Sequence, residues 1–143
     1  MVRAELLAAL AVAMVATWGC GSRVRRVHVF GDVSLDGKPV QDGSISLAPI
    51  EGTNGPTTGG AIRHGHYDVP VAGGPLAGGS YQVQIDARGP GRSGPNPANP
   101  KGPPLLFYDN IAPARYNTQS VLKITLGADA DEKRQDYDLK SRI

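Results

Sequence analysis

Ser80-Tyr81-Gln82-Val83-Gln84-Ile85-Asp86 alternates apolar and polar residues without a break. A period of two puts Tyr81, Val83 and Ile85 on one face of an extended strand and Gln82, Gln84 and Asp86 on the other. A strand patterned in this way belongs in an antiparallel sheet with one face packed and one face wet. The same rhythm recurs on both sides of it. Val27, Val29, Gly31, Val33 and Leu35 alternate with His28, Phe30, Asp32 and Ser34, and Ile45 and Leu47 alternate with Ser44 and Ser46. Further on, Leu122, Ile124 and Leu126 alternate with Lys123 and Thr125, and Tyr137 and Leu139 with Asp136, Asp138 and Lys140. No segment after Cys20 sustains the 3.6-residue period of an amphipathic helix.

The punctuation between these runs is turn chemistry. Asp36-Gly37 and Asp42-Gly43 are tight-turn dipeptides, and His64-Gly65 lies between Ala61-Ile62-Arg63 and His66-Tyr67-Asp68-Val69 as in a hairpin. Glu51 to Gly60 and Pro70 to Gly79 read as loops. Gly89 to Pro104 holds six prolines and four glycines in sixteen residues, which excludes a helix or a central strand there. Loops of this length are functional or act as spacers. Leu105 to Tyr108 is expected to pack back on the body, and Ala128 to Arg134 to form a charged hairpin loop. The whole predicts an all-β fold: an antiparallel Greek-key β-sandwich of about seven strands over residues 27–143, with a barrel as the alternative closure.

Length and charge narrow the function. A chain of 143 residues suits one such domain behind a short leader. Fifteen Lys and Arg against thirteen Asp and Glu, a net charge of +2, argue against nucleic acid as a partner. A single cysteine, Cys20, allows no internal disulfide.

That cysteine stands in an informative place. Leu6 to Ala16 is an uncharged run preceded by Arg3, the pattern of a signal-peptide hydrophobic region and too short to span a bilayer comfortably. It is followed by Thr17-Trp18-Gly19-Cys20, which resembles the lipobox of bacterial lipoproteins. The resemblance implies a signal peptide over residues 1–19, acylation at Cys20 (a palmitate-type anchor), and a short basic tether over residues 20–26 that includes Arg23, Arg25 and Arg26. The protein would then be held to a membrane of the cell envelope, facing the periplasm or the cell surface. The alternative is an ordinary secretory signal cut near Ala16 or Gly19, which would release a soluble protein with Cys20 as a free thiol.

Two further stretches carry a family likeness. Val29-Phe-Gly-Asp-Val-Ser-Leu-Asp-Gly-Lys-Pro-Val40, then Gly43-Ser-Ile-Ser-Leu-Ala-Pro49, resembles the opening of carboxypeptidase regulatory-like and transthyretin-like domains, as does Gly78-Gly79-Ser80-Tyr81-Gln82-Val83. Ile111 to Ser120 and Asp136-Tyr137-Asp138-Leu139-Lys140-Ser141 resemble small planctomycete-type lipoproteins. The likeness implies a transthyretin-like (prealbumin-like) sandwich without catalytic activity and without a cofactor.

Candidate sites are few. Arg115-Tyr116-Asn117-Thr118-Gln119-Ser120 mixes hydrogen-bond donors with an aromatic ring, a set suited to an envelope protein or a glycan. It is equally suited to capping turns through side-chain hydrogen bonds. His64 and His66, with His28 and Asp68 as further ligands, would serve a metal-assisted hydrolase as the rival reading. A small-ligand carrier is a third, by analogy of fold. No Gly-x-Ser-x-Gly elbow stands between a strand and a helix, and no Gly-rich phosphate loop ends in Lys-Ser/Thr.

Overall fold

A computed structural model of the chain describes residues 23–142. Cys20 and the apolar run before it lie outside the described residues. The expected all-β, sandwich-like architecture is what the chain forms, and no α-helix occurs among the described residues.

Strand β1 spans His28–Leu35, β2 Lys38–Pro39, β3 Asp42–Ile50, β4 Thr58–Arg63 and β5 His66–Val69. They are followed by β6 Ser80–Ala87, β7 Arg92–Gly94, β8 Leu105–Phe107, β9 Leu122–Thr125, β10 Glu132–Arg134 and β11 Tyr137–Leu139. The main hydrogen-bonded path runs β10-β1-β5-β4-β3-β6-β9 and curls into a half-barrel. Its inner face holds the alternating apolar residues. Val29, Leu47, Tyr81, Val83 and Ile85 have no exposed surface. Burying a side chain of this size contributes about 1.5–3 kcal/mol each.

Three tight turns share one backbone signature. Asp36-Gly37, Glu51-Gly52 and His64-Gly65 have positive φ at both residues, +51° and +79°, +55° and +77°, and +50° and +80°. This is the hallmark of type I′ turns, whose twist matches the strands they join. The sequence pointed to the first and third. Asp42-Gly43 is not a turn, for both residues open β3 and Gly43 lies against the Asp86 backbone of β6. A Cβ at Gly43 would stand 2.1 Å from the Asp86 carbonyl oxygen, so glycine there serves close strand approach.

The C-terminal residues depart most from expectation. Residues 132–134 are not part of a hairpin loop. They form β10, which runs parallel to β1 with His28 opposite Glu132 and Phe30 opposite Arg134. After a break at Gln135-Asp136, β11 continues parallel to β1 with Val33 opposite Tyr137 and Leu35 opposite Leu139. The break is set by Gly31, where a Cβ would lie 2.1 Å from the Gln135 carbonyl oxygen. First and last strands can pair in parallel because the rest of the domain is the connection between them. Tyr137 and Leu139 face inward as their alternation predicted.

Candidate functional site

The two ends of the half-barrel differ. At one end Arg25 to Val27 enters the fold. The Val27 amide donates to Pro75, and the Ala77 amide donates to the Arg25 carbonyl. Arg25 lies 3.9 Å from Asp129 and 3.7 Å from Asp131, and Arg26 donates to the Gly74 carbonyl at 2.7 Å. Two of the three tether arginines therefore pin the start of the chain to the sandwich.

At the other end β1 turns back at Asp36-Gly37, β3 begins, and β6 ends at Ala87 and leads into Arg88 to Gly91. There the Pro/Gly-rich loop 89–104 leaves the body as an arm. Its β7 pairs with β8 in a separate two-stranded ribbon, Arg92 opposite Phe107 and Gly94 opposite Leu105. Its tip is turned by Asn96, whose side-chain oxygen accepts the amides of Ala98 and Asn99 at 2.9 and 3.2 Å. The expectation that Leu105 to Tyr108 packs back on the body is corrected. The ribbon pairing turns Leu106 outward to 64% exposure, and Leu105 and Tyr108 stay 43% and 50% exposed. The arm is fastened at its base. Asn110 accepts the amides of Ala87 and Ala112, both at 3.0 Å, and donates to Asp86 at 2.8 Å. Arg92 makes a two-pronged pair with Asp109 at 3.0 and 3.1 Å.

Between the arm's base and the β1–β2 hairpin runs a groove of about 650 Å³. Pro39, Val40, Pro90, Tyr108 and Ile111 give it apolar walls, and Arg88 lies across the Tyr108 ring at 5.0 Å while paired to Asp42 at 2.9 Å. Sequence reading missed this groove. The signal was the apolar run Leu105–Tyr108 directly after a proline-rich loop, too large to hide at a ribbon's edge.

The six residues singled out in the sequence come together, but the polar groups of Arg115, Tyr116, Asn117 and Ser120 bond back to the protein. Arg115 donates to the Lys140 carbonyl, and the Lys140 amide donates to the Tyr116 hydroxyl at 3.2 Å. That hydrogen bond, helped by the Arg115 guanidinium 4.7 Å above the ring, holds the Tyr116 phenol below its ordinary pKa. Asn117 donates to Ile85 and Asp86 of β6. Ser120 is buried, donates to the Val83 carbonyl, and accepts the Leu122 amide at 3.2 Å. Arg115 to Ser120 is thus a clip across the seam between β6 and β11. Thr118 and Gln119 are exposed, while Arg115, Tyr116 and Asn117 are half-buried.

The histidines do not form the shared face that a strand would give them. His64 takes the left-handed first position of its turn, so only His66 stands on β5. His66 pairs with Asp32 across the strands, and His28 with Asp68 at 3.0 Å. Among the described residues no three His, Cys, Asp or Glu side chains converge as metal ligands. No helix among them is long and apolar enough to cross a membrane.

No family model and no curated protein matches the chain. Among solved structures, a 9R-lipoxygenase from Cyanothece PCC8801 is similar over 81% of this chain, at 14% identity and a TM-score of 0.37. The chain spans 16% of that protein's length, and the likeness carries no argument about activity.

Proposed function

We propose that this protein is a lipid-anchored component of the cell envelope that works by binding and not by catalysis. Acylation at Cys20 would hold it to the membrane, with the basic residues Arg23 to Arg26 next to the bilayer. The observation that supports the reading best is the polarity of the fold. The chain enters beside Arg26, whereas the arm and its groove stand at the opposite end, one strand length away. Eight residues of β1 at about 3.3 Å each give a separation of about 26 Å. A protein tethered at one end would hold exposed apolar groups, Leu105, Leu106 and Tyr108, away from the membrane and toward an envelope partner.

The deciding measurement is the intact mass of the full chain expressed in a bacterial host, beside a Cys20→Ser control. A mass of residues 20–143 plus acyl chains, lost in the control together with membrane association, is the expected result. An unmodified mass beginning near Cys20 would replace the anchored reading with a freely diffusing secreted one.

A further inference from the structure

A second surface, on the outer face of β1 and β5, has the makings of a binding site. Phe30 is the one large apolar side chain that β1 turns to this wet face, between His28 and Asp32. Beside it lies a shallow depression of about 540 Å³, bordered by Phe30, Asp32, Arg63, His66, Asp68 and Arg134. The hollow exists because β4 carries the small residues Gly59 and Ala61 on this face before Arg63, where its neighbours carry taller side chains. The volume falls in the range of small-ligand sites, about 300–1000 Å³.

The walls are fixed by mutual contacts. Asp32 is held by His66 and, at 2.9 Å, by Arg134, which also reaches Asp136 at 3.3 Å. His28 stacks on Phe30 with ring centroids 4.8 Å apart and holds Asp68 through one carboxylate oxygen. Among the described residues the other Asp68 oxygen has no hydrogen bond and Arg63 has no ion pair. That leaves a free acceptor on β5, directly beside the aromatic ring, and a free donor fork on β4, one strand further along the sheet. The acids Asp32, Asp68 and Asp136 are nearly balanced by Arg63 and Arg134, so neither a polyanion nor a polycation is complementary to this face.

We infer that this depression binds an uncharged polysaccharide. The C–H face of one sugar ring would pack on Phe30, and neighbouring hydroxyls would donate to Asp68 and accept from Arg63. The inference rests on the binding role proposed above and not on the anchor, and it gives that role a ligand class on a surface separate from the arm.

Native gel electrophoresis of the full chain, in a detergent without a sugar headgroup, tests it with dextran, xylan or galactomannan cast in the gel. Retardation by at least one of the three is expected, with affinity reduced at least tenfold by Phe30→Ala and several-fold by Arg63→Gln. Val121→Ser, an exposed residue just before β9 at the far edge of the main sheet, should migrate as the parent does. If Phe30→Ala does not fold, Arg63→Gln decides. No retardation in any gel, retardation that survives Phe30→Ala and Arg63→Gln, or retardation lost instead in Val121→Ser would overturn the proposal. None of these outcomes bears on the mass at Cys20, so the two readings fail separately.

Discussion

Gly31 is the residue on which the closure of the fold depends most directly. With the Gln135 carbonyl 2.1 Å from where its Cβ would be, Gly31→Ala forces apart the first and last strands. We expect a loss of about 2 kcal/mol or more in urea unfolding, within the range of severe single substitutions. Ser120 tests the clip. Ser120→Ala leaves the Val83 carbonyl without the partner it has in the native fold, and should cost about 1–3 kcal/mol by the same measurement. His64 separates turn from ligand. As a left-handed turn residue it should tolerate Asn without loss, while His64→Val should cost about 1 kcal/mol because a β-branched residue resists positive φ. An unchanged stability in His64→Val would contradict the turn role.

At the scale of elements, the strands were legible where both faces of a run differ in polarity. β1, β3, β5, β6, β9 and β11 follow alternation that anyone can read off the sequence. β10 was not legible, because Glu132-Lys133-Arg134 is exposed throughout and has no apolar face. It is a strand only because β1 has an open edge beside it. The arm was half legible: prolines marked the excursion, but nothing local tells that Arg92–Gly94 meets Leu105–Phe107. Because no residue from 92 to 107 belongs to the core, joining Gly91 to Tyr108 through a short Asn-Gly link should move the melting temperature by no more than about 5 °C. The C-terminal strand also has a pH signature. Asp36 is held below the ordinary value of 3.8 by hydrogen bonds from Ser141, Asp136 by the Asp32 amide, and Asp138 by Lys140 and Ser34. Below about pH 4 the unfolded chain binds protons that these folded carboxylates refuse. Their stabilisation is therefore complete above that value and fades as the pH falls through the lowered folded values. Urea midpoints should drop between pH 5 and pH 3, and drop less in Asp136→Asn.

Across the whole molecule, alternation and turn chemistry reveal the class of fold but not which end of the sandwich carries what. That the entry of the chain and the arm stand at opposite ends follows from the register of β1 against β5 and of β3 against β6. Register depends on pairings between distant residues that no local pattern encodes. For the same reason the sequence drew attention to Arg115–Ser120, whose polar groups are visible locally, and away from the groove, whose walls come from three separate segments.

The parallel run of β10 and β11 along β1 has a mechanical consequence. A pull on the N-terminal side of the domain loads β1 lengthwise, with β5 on one flank and the C-terminal strand on the other. The hydrogen bonds on both flanks lie across the line of force, so they bear it together and must fail together instead of unzipping one at a time. Tension would thus meet the domain along its most resistant axis, and the C-terminal residues, though last in the chain, act as a rivet beside the first strand.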